Sequence, residues 1–149
     1  MEANMKHRFL NLLVPFALLG CSQAASAAVI EVVKSPTCGC CSDWVEHLRR
    51  SGFQVRVTEV EDTSPIARKL GVPDDLRSCH TARVGGYAVE GHVPAADIKL
   101  LLAKKPAATG IAVPGMPMGS PGMDRGSAKE AYTTILFDRK GKRQVFARH

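Results

Sequence analysis

Three of the chain's five cysteines fall within four consecutive positions, Cys38-Gly39-Cys40-Cys41. They cannot all pair with one another, because neighbouring cysteines make poor disulfides without backbone distortion. A fold that accommodates them must bring further partners to the cluster or put the thiols to use. The flanking residues place the cluster. Val29 to Val33 reads as a strand, and Ser35-Pro36-Thr37 as a turn. From Cys41 onward, Trp44, Val45 and Leu48 follow helical spacing, with Ser42 and Asp43 near the start and Gly52 after the end.

Cys38 and Cys41 therefore form a C-x-x-C pair between a first strand and a helix, with Cys40 as an extra thiol inside it. That is a thioredoxin-like arrangement. Free N–H groups and the dipole at a helix start stabilise a thiolate. The thiolate is the species that attacks disulfides and binds soft metals. The plainer alternative is a structural disulfide with a bystander thiol.

The rest of the chain supports an α/β domain. Gln54 to Val60 alternates as a second strand, and Ser64-Pro65 opens a short helix over Ile66–Leu70, closed by Gly71 and Pro73. Ala82 to Val89 is a strand interrupted at Gly85-Gly86, or a hairpin turning there. Pro94 opens a helix over Ala95–Lys104. Tyr132–Asp138 and Gln144–Ala147 form a C-terminal strand pair about the Arg139–Lys142 turn. The alternation of strand and helix predicts a mixed sheet with flanking helices. Pro106 to Gly126, with five glycines, four prolines and three methionines, reads as one long loop.

The fifth cysteine, Cys21, belongs to the amino-terminal segment. Lys6 and Arg8 precede an almost wholly apolar run, Phe9 to Gly20, of signal-peptide length and too short to span a bilayer. Two processing readings compete. Ala25-Ser26-Ala27 would end a leader of residues 1–27 and leave a domain of residues 28–149. Leu18-Leu19-Gly20-Cys21 would end a lipoprotein signal of residues 1–20 and leave a lipidated Cys21. Either way the expected destination is the periplasm, with membrane attachment only if Cys21 is lipidated. Four cysteines then remain, Cys38, Cys40, Cys41 and Cys79.

Cys79 lies in Ser78-Cys79-His80-Thr81, just before the Ala82 strand. If the fold is thioredoxin-like, this segment packs against the start of the first helix and turns Cys79 and His80 toward the three-cysteine loop. The alternative is a disulfide from Cys79 to Cys38, Cys40 or Cys41, with His80 solvated. His92, before the Pro94 helix, reads as a weaker ligand or a capping residue. Met116, Met118 and Met123 crowd the Gly/Pro loop. A thioether is a soft, neutral ligand that suits Cu(I), and the alternative is methionines filling gaps over the core. Structural zinc sites favour two separated C-x-x-C or C/H pairs. Adjacent cysteines, Cys-x-Cys and methionine together point instead to Cu(I). No Ser-His-Asp set, phosphate-binding loop or paired-carboxylate site is evident. The net charge of +6 has no basic block that would suggest nucleic acid.

Several motifs in order, Ser35-Pro36-Thr37-Cys38-Gly39-Cys40-Cys41, Ser78-Cys79-His80-Thr81, Glu90-Gly91-His92-Val93-Pro94 and Ala112-Val113-Pro114-Gly115-Met116-Pro117 with Gly119-Ser120-Pro121-Gly122-Met123, resemble the CopG-type periplasmic copper-resistance proteins. The resemblance runs from about Val29 to Phe137. It implies a thioredoxin-like fold, copper around the three-cysteine loop, and a thiol or copper oxidoreductase role in copper tolerance. Cys38, Cys40, Cys41 and Cys79 would be the sulfur ligands, with Met116 or Met118 and His80 or His92 as neighbours.

The leading expectation is an exported copper-binding protein with coupled thiol and copper redox chemistry, in which Cys38 and Cys41 are the redox thiols. Its partners would be copper ions and other periplasmic copper-handling proteins or an electron donor. The alternatives are a metal-independent thiol–disulfide oxidoreductase and a passive copper store or chaperone.

Overall fold

A computed structural model describes residues 28–124 and 126–149. The proposed leader, its two processing points and Cys21 lie outside the described residues. The described residues form seven strands and three α-helices: β1 Val29–Lys34, α1 Gly39–Arg50, β2 Gln54–Glu59, α2 Ser64–Leu70, β3 His80–Val84, β4 Tyr87–Gly91, α3 Ala95–Lys104, β5 Gly110–Val113, β6 Thr133–Phe137 and β7 Arg143–Arg148. The strands form one sheet in the order β2-β1-β3-β4-β5-β6-β7. The β1–β2 and β4–β5 pairs are parallel, and the other four are antiparallel. This is the mixed α/β sheet that the alternation predicts, consistent with the thioredoxin-like fold expected from the C-x-x-C placement and the family resemblance.

The apolar residues dictate the layers. Trp44, Val45 and Leu48 of α1 join Ile98 and Leu101 of α3 in one cluster with Ile30, Val32, Val89, Ile111 and Val113 of the sheet. Ala67 of α2 packs with Val72, Leu76, Ala88, Ala112 and Phe137 in a second cluster. Successive side chains on a strand point to opposite faces. Ala88 and Val89, or Ile111 and Ala112, therefore feed the two clusters from the same strands. A sheet with both faces covered has a dry centre, and its strand ends are where polar chemistry can surface.

Two local devices set those ends. The β3–β4 hairpin turns at Gly85 and Gly86, both with positive φ (55° and 87°), the pairing that a two-residue hairpin turn requires. Helix α1 starts at Gly39 with Cys38 as its N-cap, where the Cys38 sulfur accepts the Cys41 N–H at 3.3 Å. A thiol thus stands where Ser, Thr or Asp usually sits.

Two expectations are corrected. The segment from Pro106 to Gly126 is not one loop, because residues 110–113 form β5, buried at every position between β4 and β6. A four-residue strand covered on both faces shows no alternation, and its flanking glycines and prolines mask it. Gly110 fits because a Cβ there would lie 2.1 Å from the Ala88 carbonyl oxygen. Likewise His80 and Thr81 belong to β3 rather than to the segment before it. No helix among the described residues is long and apolar enough to cross a membrane.

Candidate metal centre

The carboxyl ends of β1 and β4, the start of β3 and the first turn of α1 meet at one end of the sheet. β1 and β3 are antiparallel, with Lys34 opposite His80. The residue after β1's turn and the residue before β3 are therefore brought together. The Sγ atoms of Cys38, Cys40, Cys41 and Cys79 all lie within 4.8 Å of one another. Cys38 and Cys41 are joined as a disulfide, and Cys40 and Cys79 are free. Cys79 is thus not bridged to the loop, although its Sγ lies 3.3 Å from that of Cys41. Cys40 Sγ lies 3.5 Å from Cys38 Sγ. With the disulfide open, the same positions hold four thiols.

A second group shares Cys79. His80 Nδ1 and His92 Nε2 each lie 3.5 Å from its sulfur, and the three ligand atoms sit within 4.8 Å of one another. The far nitrogens assign the tautomers. His80 Nε2 is 2.9 Å from the Gly91 carbonyl oxygen, and His92 Nδ1 is 2.8 Å from that of Pro121. A carbonyl only accepts, so each of these nitrogens carries its proton and donates. The nitrogens facing Cys79 are left as bare lone pairs. A backbone carbonyl behind an imidazole is the usual outer partner of a metal-ligating histidine.

Both histidines are fully buried. Burial pushes His80 down to about 3, helped by His92, and also lowers His92. Both rings are therefore neutral at ordinary pH. Burial pushes the Cys79 thiol up to about 11, and the neighbouring Cys40 adds to the rise while a Ser78 hydrogen bond opposes it. In this state Cys79 is a protonated thiol whose anion a nearby cation would favour.

Five supporting contacts were not read from the sequence. Trp44 packs on His80 with ring centres 4.3 Å apart and planes tilted by 35°, and His80 meets His92 edge-on at 4.9 Å. The Trp44 indole N–H donates to the Val93 carbonyl at 2.8 Å, so a residue read only as core also holds the His92 turn. Glu90 is fully buried. It accepts the Ser78 N–H at 2.6 Å and the Thr81 hydroxyl at 2.7 Å, which clamps the segment carrying Cys79 and His80 from both sides. The signal was an acidic residue inside an otherwise apolar strand, two positions before His92.

The Gly/Pro loop lies over the centre. Gly122 has φ +84°, and a Cβ there would come 2.6 Å from the Cys40 carbonyl oxygen and 2.8 Å from the Trp44 nitrogen. That close approach seats Pro121 against His92. Met116 is 43% exposed, with φ +48°. Met118 is half-buried, and its N–H donates to Glu130 at 3.0 Å. The cysteines and histidines singled out in the sequence therefore converge, and the two methionines sit in the loop that covers them.

Two solved structures, both titled copper resistance protein copG and described as forms 1 and 2, are similar to this chain at 44% sequence identity with a TM-score of 0.78. The similarity covers 83% of this chain and 99% and 98% of theirs. The chain belongs to the CopG family. Residues 76–123, which span Cys79, His80, His92 and the methionine loop, also match a family described as a protein of unknown function, DUF411. No curated protein matches the sequence. The CopG relationship and the clustered cysteines together support a copper-related role.

Proposed function

We propose that this CopG-family chain is an exported protein that binds copper as Cu(I), with coupled thiol redox chemistry, as part of copper tolerance. The observation that carries this reading is the convergence of four sulfurs, one of them shared with two bare imidazole nitrogens. Soft, deprotonated sulfur selects Cu(I) over harder ions. Cys38, Cys40, Cys41 and Cys79 hold the ion or ions. His80, His92 and a thioether of Met116 or Met118 complete the set. The donors fit because the imidazoles are already neutral and oriented and need only the thiols to lose protons.

The Cys38–Cys41 disulfide supports the redox part. Closing it releases two electrons and two protons, enough to reduce two Cu(II) to two Cu(I). It also cuts the thiols available for binding from four to two. Copper occupancy and thiol oxidation are thereby linked. The leader of residues 1–27, or a lipidated Cys21, would take the chain to the periplasm, where copper-handling proteins or an electron donor supply its partners.

The test is metal analysis of the reduced mature protein with a parallel thiol count. Copper should be retained in proportion to free thiols. The double variant Cys38→Ser/Cys41→Ser should lose tight Cu(I) binding against a competing chelator, and undiminished affinity would sink the site. Reduction of Cu(II) in proportion to the thiols, or catalytically with a donor, separates the redox role from passive storage.

A metal-independent thiol–disulfide oxidoreductase is the second reading, favoured by a disulfide at a helix N-terminus. The crowding of Cys79, both histidines and the Pro121–Gly122 turn around that disulfide weighs against a docking peptide.

A further inference from the structure

Each of the two free thiols among the described residues lies against a different sulfur of the closed disulfide, and the two neighbours are not equivalent. Cys40 faces Cys38 at 3.5 Å, and Cys79 faces Cys41 at 3.3 Å. Attack by Cys40 on Cys38 would close a bridge across the single residue Gly39, within the first turn of α1, where disulfide geometry is poor. It would also expel Cys41, a fully buried sulfur. Attack by Cys79 on Cys41 closes a bridge between α1 and the start of β3, two segments already in contact.

That attack expels Cys38, and Cys38 is the better leaving group. Its sulfur caps a twelve-residue helix and already accepts the Cys41 N–H. Both the cap bond and the helix dipole favour the thiolate that departs. In thiol–disulfide exchange a leaving thiol of low pKa leaves faster.

We propose that the closed Cys38–Cys41 disulfide isomerises within the folded chain to Cys41–Cys79, which frees Cys38 beside Cys40. This rests on the redox reading above and deepens it. The Cys79 Sγ–H gives up its proton as the attack begins. The Cys79–Cys41 bond forms as the Cys41–Cys38 bond breaks, and the electron pair leaves on Cys38. The proton then passes to Cys38 or to solvent. Nothing is oxidised or reduced overall, so no outside oxidant or reductant is needed. The product is an oxidised chain with a free Cys-x-Cys dithiol on half-buried residues at the helix start. Such a pair takes a soft monovalent ion without prior reduction, while the new bridge ties down the shared sulfur.

The test uses the mature protein of residues 28–149, metal-free and oxidised, alkylated slowly with iodoacetamide and then digested with trypsin without reduction. Monomer is isolated first, so that exchange between chains is excluded. The peptide 35–49 carries Cys38, Cys40 and Cys41, and the peptide 78–83 carries Cys79. Exchange yields these two peptides joined, with labels on Cys38 and Cys40, and the joined product grows with time as labelling traps Cys38. Cys40→Ser should still yield the joined pair, now labelled at Cys38 alone. Cys79→Ser should keep its bridge inside peptide 35–49, labelled only at Cys40. An internal bridge with labels only on Cys40 and Cys79, unchanged through the time course in the native chain and in Cys40→Ser, overturns the proposal. So does a Cys38–Cys40 bridge. Copper titration of the reduced protein is unaffected by either result, so failure here is separable from failure of the copper site.

Discussion

The two ligand groups that share Cys79 are built in different ways. The sulfur group is mostly local. Three of its four members sit within four residues on one helix start, and a disulfide closes two of them. The imidazole pair is wholly non-local. His80 comes from β3 and His92 from just past the end of β4; the Gly91 carbonyl at the end of β4 orients the first and the Pro121 carbonyl of the later loop orients the second. The first group is switched by a covalent bond and the second is fixed by backbone hydrogen bonds. In the redox role proposed above, opening or closing the disulfide changes the number of thiols while both imidazoles keep their orienting hydrogen bonds.

The sharpest way to break that comparison is Cys79→Ser, which removes the atom common to both groups. Cu(I) affinity of the reduced protein should fall by more than the roughly 10–100-fold that follows loss of an outer partner. A smaller loss by chelator competition would mean that the two groups do not act together. His92→Ala leaves all four sulfurs and should cost less, about 10-fold by the same competition.

Gly122→Ala probes the support rather than the ligands. The added Cβ meets backbone atoms of Cys40 and Trp44 at a positive φ. Stability should drop by about 1–3 kcal/mol in urea unfolding. Because Pro121 leaves its place against His92, the variant should show the His92→Ala loss in copper affinity with every ligand present.

The smallest effect expected is at His47, which links the two helices of the site face. Its Nε2 accepts the Ala95 N–H at 3.1 Å, the start of α3 having no side-chain cap of its own. Burial, then the Arg50 charge, lowers His47 below its ordinary value of 6.5, while Asp124 opposes. An imidazole lowered by folding contributes stability that is whole above 6.5 and is lost as pH falls through its folded value. His47→Gln retains an acceptor that does not titrate. Below pH 6.5 the native chain should therefore lose more stability than the variant, by less than about 1 kcal/mol because solvent screens a half-buried ring, read from urea midpoints against pH.

Much of the fold was legible because its signals are local. Helical spacing of Trp44, Val45 and Leu48, the glycine pair at 85–86, and Pro94 before α3 each mark an element within a few residues. The strand at 110–113 was not legible, because burial on both faces erases alternation and the surrounding glycines and prolines look like loop. In the site, the cysteines and both histidines stood out by residue type. The roles of Trp44 and Glu90 did not. An indole at helical spacing reads as core, and it became a packing partner only when β3 placed His80 beneath it. A lone carboxylate in a strand reads as an exposed residue, and it became a clamp only because Ser78 and Thr81 flank it across the hairpin.

The sequence by itself placed three thiols together at one helix start, through covalent connectivity and the helical spacing of Trp44, Val45 and Leu48 that follows them. It also determined that they cannot all be paired with each other. Which sulfur stays free, which nitrogen of each imidazole faces it, and which carbonyls hold those rings were decided by the tertiary structure. Those choices depend on strand register and on the approach of a loop 80 residues further on. Register and close approach are properties of the packed chain that no local run of residues carries.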